Sequence, residues 1–161
     1  MQNDLFNPSQ GPVHFLANCD GACKGNPGLG GWGLLLQDAA TKELVDEAFG
    51  GALVTTNNQM ELTAAIETLK RVPEGAVIEI RTDSQYVIKG ITEWLPNWKR
   101  RNWTTADKKP VKNGDLWRAL DALYSKRKVT MTWVRGHNGD PGNERADFLA
   151  NEGVAKARSG A

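Results

Sequence analysis

The first third of the chain carries short apolar runs that are typical of strands. The runs at residues 13–19, 31–37 and 43–54 predict three strands, and the turn DAATK joins the second to the third. We expect the first strand to stop at Asp20, where its apolar run ends. By propensity alone, the stretch LLLQDAATKELVDE is also compatible with a helix, so both structures stay open at this point.

The rest of the chain alternates helical stripes with short apolar strands. Residues 57–70 predict a helix capped by Asn57 or Asn58. Its inward stripe consists of Leu62, Ala65, Ile66 and Leu69. Further elements are expected as a strand at 76–82, a short helix at 84–91 capped by Ser84, a helix at 115–124, a strand at 129–134 and a helix at 140–157 with Asp140 as cap and Pro141 at its first position. This order predicts an α/β domain with one mixed sheet covered by helices.

The length of 161 residues suits one domain with a sizeable core and is short for two. We expect a flexible tail at residues 1–12, the domain at 13–157 and a short C-terminal tail at 158–161. No apolar run approaches the length of a membrane span, and the polar start lacks the apolar centre of a signal peptide. The sequence therefore predicts no membrane association.

Two cysteines and two histidines supply all the thiol and imidazole groups of the chain. They are Cys19, Cys23, His14 and His137. A structural zinc site would need more thiol or imidazole partners. With no secretion signal, we expect two ordinary reduced thiols in a cytoplasmic protein.

The charges are distributed unevenly although the net charge is only +1. Between Lys99 and Lys112, six basic residues stand against Asp107 alone, so the remainder of the chain is net acidic. This segregation predicts one basic patch, and it suggests an acidic pocket elsewhere.

The glycine-rich stretch GLGGWG, Gly28 to Gly33, matches the dinucleotide-binding pattern G-x-G-x-x-G. In dinucleotide-binding folds this pattern directly follows the first strand and opens a helix. Here GACKGNP intervenes, and a second strand follows in which Trp32, Leu34 and Leu36 are expected to share one face. We therefore expect no dinucleotide cofactor. The glycines are expected to let the backbone turn tightly and approach a ligand closely.

Four acidic residues lie at the ends of strands or on the inward sides of helices. Asp20 and Asp83 each follow an apolar strand, Glu61 lies on the apolar stripe of its helix, and Asp147 borders the packed stripe of the last helix. A turn or a solvated helix position is the ordinary alternative for the three aspartates. A buried carboxylate such as Glu61 needs a neutralising partner. If the four groups converge, hard divalent cations such as Mg²⁺ or Mn²⁺ fit them, and a pair of ions can cleave a phosphodiester.

Six segments occur together in one order, namely CDGACKGNPGLGGWG, TTNNQMEL, TDSQYV, ITEWLPNWKRRNWTTADKKPVKN, WVRGHNG and NERAD. The set resembles ribonuclease H of type 1 in its bacterial form, from Val13 to about Ala157. The resemblance implies a five-stranded mixed sheet, with the first three strands antiparallel, flanked by helices. It favours a hairpin over a helix for LLLQDAATKELVDE. Cys19 and Leu29 depart from the family, which commonly has threonine and proline at these positions.

The resemblance also implies an activity, namely endonucleolytic cleavage of the RNA strand in RNA–DNA hybrids that leaves a 5′-phosphate. By this likeness Asp20, Glu61, Asp83 and Asp147 are metal ligands, and His137 assists proton transfer or product departure. The implied cofactor is Mg²⁺, with Mn²⁺ as an alternative, bound as two ions when substrate is present. On its own, His137 is equally compatible with a loop histidine that has no function.

A set of polar, basic and aromatic residues is expected to hold the hybrid. The set is Cys23, Asn26, Thr56, Asn57, Asn58, Gln85, Trp94, Trp98, Lys99, Arg100, Arg101 and Trp103. Amides near the carboxylates are suited to sensing 2′-hydroxyl groups, and the tryptophan-rich basic stretch resembles the family's protrusion that grips the DNA strand. Capping by the asparagines and core packing of the tryptophans are the structural alternatives. We expect a monomer.

Three other function classes compete with the nuclease. A non-catalytic hybrid-binding module of the same fold would have no use for clustered negative charge facing phosphates. A DNA nuclease or integrase of related fold is disfavoured by the asparagines and the basic stretch. A dinucleotide-dependent enzyme is the least favoured.

Overall fold

The computed structural model describes residues 14–136 and 138–160. Five strands form one sheet in the order β3-β2-β1-β4-β5. The strands are β1 (His14–Lys24), β2 (Gly28–Asp38), β3 (Leu44–Thr55), β4 (Val77–Thr82) and β5 (Lys128–Trp133). β2 runs antiparallel to both β1 and β3, whereas β4 runs parallel to both β1 and β5. The prediction of a mixed α/β sheet with three antiparallel strands first is confirmed, and LLLQDAATKELVDE forms a hairpin.

Helices cover both faces of this sheet. They are α1 (Asn57–Lys70), α2 (Gln85–Lys89), α3 (Leu95–Arg100), α4 (Gly114–Tyr124) and α5 (Pro141–Arg158), with a π-helical turn, Gly90–Trp94, between α2 and α3. α1 contacts β1, β2 and α4, and α5 contacts β1, β2 and β3. Within the described ranges, no helix is both long and apolar enough to cross a membrane.

The main core lies between the sheet and the layer that contains α1 and α4. It includes Phe15, Ala17, Leu34, Leu36, Leu62, Leu69, Ile78, Ile80, Trp117 and Leu120. The half-buried Trp32 packs against the same cluster, which confirms that Trp32, Leu34 and Leu36 share a face. Alternating positions of β2 point to the opposite face, towards α5.

The first strand does not stop at Asp20, so that prediction is wrong. β1 continues to Lys24, and Asp20 pairs with Gly33 of β2 in the antiparallel register. β1 continues beyond its apolar run because β2 supplies backbone hydrogen-bond partners to the polar end of the strand. Asp20 therefore lies inside a strand, where the backbone holds its side chain in a fixed direction.

Two of the glycines of β2, Gly31 and Gly33, accommodate helix α5. A Cβ atom added at Gly33 would lie 2.5 Å from the backbone nitrogen of Ala150. One added at Gly31 would lie 2.2 Å from the Ala150 carbonyl oxygen. Only glycine lets the helix backbone approach the strand this closely. The predicted tight turn is present at residues 25–27 between β1 and β2, where Gly25 has φ 79°.

Three helix starts are fixed by side-chain caps. The cap of α1 is Thr56, whose Oγ1 accepts a hydrogen bond from the backbone N–H of Gln59 at 3.2 Å, so the expected Asn57 or Asn58 cap is wrong. Ser84 caps α2 and Asp140 caps α5, as predicted. Thr56 takes the role because it is the last residue with extended backbone before the helix.

Candidate active site

The structure brings the four predicted carboxylates to one cavity. Asp20 lies in β1, Glu61 in α1, Asp147 in α5, and Asp83 directly after β4. One oxygen atom from each of Asp20, Glu61 and Asp83 lies within 4.8 Å of the other two. Asp147 lines the same cavity of about 420 Å³. Carboxylates from elements that are distant in sequence therefore meet in one cavity, as an acidic metal site requires.

Close backbone contact places Asp20 beside Glu61. A Cβ atom at Gly21 would lie 2.5 Å from the backbone nitrogen of Glu61, so β1 and α1 touch at this position. The Gly21 N–H also donates a 2.9 Å hydrogen bond to Oδ1 of Asp20, which orients that carboxylate. Glycine at position 21 is thus a requirement of the site, since any side chain would separate its two elements.

The Asp83 side chain is positioned by the turn that follows β4. The Ser84 N–H donates to Thr82 Oγ1 at 3.1 Å, and Ser84 Oγ then accepts from Val87 N–H at 3.1 Å to begin α2. On the other side, a Cβ atom at Gly136 would lie 2.5 Å from Oδ2 of Asp83. The segment after β5 therefore packs directly against the carboxylate, and a side chain at position 136 would displace it.

Burial and mutual repulsion disfavour the charged forms of these acids. Burial, the Asp83 charge and a hydrogen bond with Asp147 together raise the pKa of Asp20 from 3.8 to about 8. Burial and the charges of Asp20 and Asp83 raise the pKa of Glu61 well above its usual range. Burial, followed by the charges of Glu61 and Asp20, also raises the pKa of the neighbouring Cys19 thiol. A cation in the cavity would reverse this effect on the acids.

One buried oxygen shows what kind of group fits the cavity. Glu61 is 5% exposed, and its Oε1 has no hydrogen-bond partner among the described residues. An unpartnered buried carboxylate oxygen is costly unless a cation neutralises it. The donor set consists of carboxylate oxygens, which are the ligands that Mg²⁺ and Mn²⁺ prefer. The residues present therefore fit a hard divalent cation.

Amide side chains form the rim of the same cavity. Asn57, Asn58 and Gln85 line it, and all three are exposed. Asn26 stands behind this rim, where its Oδ1 accepts a 3.0 Å hydrogen bond from the backbone N–H of Asn57. These groups surround the carboxylates with donors and acceptors that a polar substrate can reach.

Cys23 and Thr56 do not line the carboxylate cavity and act in its supporting structure. The Cys23 Sγ donates to the Gly25 carbonyl oxygen at 2.8 Å, within the β1–β2 turn. Thr56 caps α1, which carries the amide rim. Of the predicted polar residues near the carboxylates, these two are therefore set back from the cavity.

The basic segment, residues 94–112, lies outside the carboxylate cavity. Lys99, Arg100 and Arg101 are exposed at the end of α3. Lys99 pairs with Asp121 of α4 at 3.2 Å, and Arg100 donates to Asn97 Oδ1. Two of the three cations thus have local partners and remain accessible to an anion.

The tryptophans of the basic segment are neither fully buried nor free. Trp94, Trp98 and Trp103 are half-buried, and Trp98 and Trp103 pack against the main core. The ring centroids of Trp98 and Trp117 are 5.3 Å apart, and those of Trp94 and Tyr86 are 5.8 Å apart. These rings anchor the segment to the domain and leave part of their surface exposed, so core packing and binding are compatible.

The sequence interpretation missed several residues at the site. Ser84 and Tyr86 line the carboxylate cavity. Gln59, Asn113 and Arg118 line a neighbouring cavity of about 490 Å³, together with Trp103, which was predicted. Adjacency to Asp83 and Gln85 was a usable signal for Ser84 and Tyr86, whereas nothing local marks Gln59. His137, the fifth predicted catalytic residue, lies outside the described residues.

Comparisons with known proteins agree with this architecture. A family model described as RNase H matches residues 14–155. Ribonuclease H of Cupriavidus pinatubonensis is 62% identical over 140 residues, which is 87% of this chain and 94% of that protein. LC9-RNase H1, described as a type 1 RNase H with the type 2 active-site motif, is similar with a TM-score of 0.79 at 28% identity, over 89% of this chain and 72% of that one.

A further solved structure is LC11-RNase H1 in complex with an RNA/DNA hybrid. It is similar with a TM-score of 0.67 over 89% of this chain and 99% of that one. At 21% identity this likeness supports the fold alone. The family model and the Cupriavidus relative each cover most of the sequence, and on that evidence the chain belongs to the ribonuclease H family.

Proposed function

We propose that this protein is an endoribonuclease that hydrolyses the RNA strand of RNA–DNA hybrids and leaves 5′-phosphate and 3′-hydroxyl ends. The observation that carries the proposal is the buried carboxylate cluster with its unpartnered Glu61 oxygen. Membership of the ribonuclease H family supports it. A protein that only bound nucleic acid would gain nothing from buried negative charge next to phosphates.

The proposed metal ligands are Asp20, Glu61, Asp83 and Asp147. We propose Mg²⁺, with Mn²⁺ as an alternative, and two ions when substrate is bound. Bound divalent ions supply Lewis-acid activation of the attacking water and stabilise the leaving oxygen. The chain itself holds the ligands at fixed positions, because Asp20 lies within a strand and Glu61 on a helix packed against it. His137 is proposed to move a proton or to assist product departure.

Recognition of the hybrid is proposed to divide between the amide rim and the basic segment. The rim residues Asn57, Asn58 and Gln85, supported by Asn26, Cys23 and Thr56, are suited to a strand that carries 2′-hydroxyl groups. The exposed cations Lys99, Arg100 and Arg101 are suited to phosphates, and the partly exposed Trp94, Trp98 and Trp103 to sugars. In this proposal, the DNA strand binds at the basic segment, away from the reacting phosphate of the RNA strand.

We propose that the protein acts as a monomer in the cytoplasm. Cys19 and Cys23 are both free, and unpaired thiols are typical of a reducing compartment. Size-exclusion chromatography with light scattering tests the monomer, and a mass of two chains would contradict it.

A gel assay tests the activity directly. Labelled RNA–DNA hybrid, duplex RNA and duplex DNA are each incubated with the protein in Mg²⁺ or in EDTA. We expect cleavage of the hybrid's RNA strand alone, only with Mg²⁺, and 5′-phosphate on the internal products. Tight hybrid binding without cleavage would favour the non-catalytic module, and cleavage of duplex DNA would favour the DNA nuclease.

A further inference from the structure

Asn113 has an unusual conformation at the start of α4. It is the N-cap residue, yet its backbone is left-handed at φ 59° and ψ 29°, and its side chain makes no capping hydrogen bond. An N-cap asparagine normally bonds to its own helix and stabilises it. Asparagine tolerates the left-handed conformation better than most residues, and the missing cap leaves its carboxamide available to other partners.

The Asn113 carboxamide instead bonds to two other elements of the fold, α1 and α2. Its Oδ1 accepts a hydrogen bond from Nε2 of Gln59 in α1 at 3.1 Å. Its Nδ2 donates to the hydroxyl oxygen of Tyr86 in α2 at 3.1 Å. The same hydroxyl oxygen accepts from the indole N–H of Trp117 at 3.0 Å. A continuous hydrogen-bond network therefore runs from α1 through Asn113 to α2 and α4.

Gln59 determines the direction of donation in this network. Its Oε1 accepts a 2.9 Å hydrogen bond from the Thr55 hydroxyl group, which leaves the Nε2 group to face Asn113. Asn113 must then present its oxygen to Gln59 and its nitrogen to Tyr86. A side chain without a donor at position 59 would leave the Asn113 carboxamide free to turn.

Asn113 lies where the basic segment rejoins the domain. Within that segment, the Val111 N–H donates to the Trp103 carbonyl oxygen at 3.3 Å, and the guanidinium of Arg118 lies 5.3 Å from the centroid of the Trp103 ring. Gln59 stands on the other side, one residue from the amide rim of the carboxylate cavity. The network thus connects the basic segment to the helix that carries Glu61.

We propose that Gln59 is a positioning residue for substrate binding, which holds the Asn113 carboxamide and thereby sets the basic segment relative to the carboxylate cavity. The inference rests on the proposed function, since the binding it improves is that of the hybrid. Gln59 does not touch the reacting atoms, so its loss changes binding and leaves the chemical step intact.

The test replaces Gln59 by methionine, which has similar length and no donor. We expect Gln59→Met to raise KM for the hybrid about 3- to 10-fold, the effect of removing one hydrogen bond, with kcat unchanged. Gln37→Met is the matched control, because this change also removes one hydrogen bond, to the Lys42 carbonyl oxygen in the distant β2–β3 turn. The control should keep the wild-type KM.

A double-mutant cycle separates positioning from a direct contact. If Gln59 acts through Asn113, Gln59→Met has no further effect on KM in an Asn113→Ala background. Additive effects, a fall in kcat at saturating hybrid, or lower thermal stability with unchanged KM would each overturn the proposal. Thr55→Val is a second variant that removes the hydroxyl fixing Gln59, and it should raise KM in the same direction even if Gln59→Met does not fold.

A readout that is independent of activity keeps the two proposals distinct. In NMR spectra, Gln59→Met should shift the side-chain amide signals of Asn113 and the indole N–H signal of Trp117. Unchanged signals would overturn the network itself. Failure of the wild-type protein to cleave hybrid would instead contradict the proposed function and leave these signals as evidence on the network.

Discussion

Asp20 and Glu61 are 4% and 5% exposed, and burial together with the charges of neighbouring aspartates raises the pKa of both when no cation is bound. The metal-free protein therefore holds these carboxyl groups in an environment that favours their protonated forms. Binding of a divalent cation must release those protons, so metal affinity is expected to rise with pH.

We expect Asp20→Asn to stabilise the metal-free protein at high pH. The folded-state pKa of Asp20, about 8, exceeds its ordinary value of 3.8, so the native state binds more protons than the unfolded state between these pH values. The free energy of unfolding of the metal-free wild type therefore falls as pH rises from about 4 to about 8, and the asparagine variant lacks this loss. At about 1.4 kcal/mol per pKa unit, the difference at pH 8 is several kcal/mol.

Urea unfolding in EDTA at pH 5 and pH 8 measures this difference. The free energies of unfolding of the two proteins should differ by several kcal/mol more at pH 8 than at pH 5. Equal pH dependence in wild type and variant would contradict the burial of a charged Asp20.

Neutral isosteres of the other proposed metal ligands should abolish cleavage while the fold survives. Glu61→Gln and Asp83→Asn each remove one charged oxygen ligand without changing side-chain size, so calorimetry should detect weaker Mg²⁺ binding. Glu67→Gln is the control on the same helix, because Glu67 pairs with Arg71 and Lys70 away from the cavity. Full activity in either ligand variant would contradict the assignment. Asp147→Asn is expected to retain some activity.

His137→Ala should slow turnover without eliminating it. A positioned proton-transfer group contributes about two to four powers of ten, and the metal-dependent part of the reaction remains. Single-turnover rates at saturating hybrid measure the effect. A rate equal to that of the wild type would show that this histidine has no part in the reaction.

The basic segment is a separate element whose charge is expected to act on binding alone. Replacing Lys99, Arg100 and Arg101 together by alanine should raise KM about 10-fold or more and leave kcat nearly intact, since no proposed metal ligand lies in the segment. For every cation–phosphate interaction that the substitutions remove, the slope of log affinity against log salt should become shallower by about 0.9.

Steady-state cleavage at several salt concentrations checks this prediction. Lys70→Ala with Lys126→Ala serves as the control, because both lysines are exposed and form ion pairs outside the segment. An unchanged affinity and salt slope in the triple variant would show that these three cations are solvated and do not contact the hybrid. A collapse of kcat would show that the segment helps to position the scissile phosphate.

A feature of an element could be predicted from the sequence where residues close together in the chain determine it. The stripe of α1 identified Glu61 as inward-facing, and it is buried. The extension of β1 beyond Asp20 depends on pairing with β2, which is a partner that no local pattern names. The same holds for Gln59, whose interaction with Asn113 spans 54 residues.

At the scale of the whole molecule, close backbone packing determines where α5 sits. A Cβ atom at Gly153 would lie 2.0 Å from the Gly50 carbonyl oxygen. We expect Gly153→Ala to destabilise the protein by about 1–3 kcal/mol or more, because main-chain atoms cannot move aside as a flexible side chain can. Gly114→Ala is the control at the first position of α4, where an added Cβ meets nothing within 4 Å.

Denaturant unfolding of the two alanine variants tests this packing. The Gly114→Ala midpoint should equal or exceed that of the wild type, because alanine favours helix. A wild-type midpoint for Gly153→Ala would mean that α5 can shift away from the sheet at little cost.

The contact between α5 and the glycines of β2 also has a practical consequence for protein engineering. Because main-chain atoms and not side-chain volumes register this helix on the sheet, Asp147 keeps its place when the outer side chains of α5 are exchanged. Glu152 and Lys156 are exposed on that helix. A fluorophore or surface linker attached there would sit on a helix that lines the candidate active site, without displacing the Asp147 carboxylate.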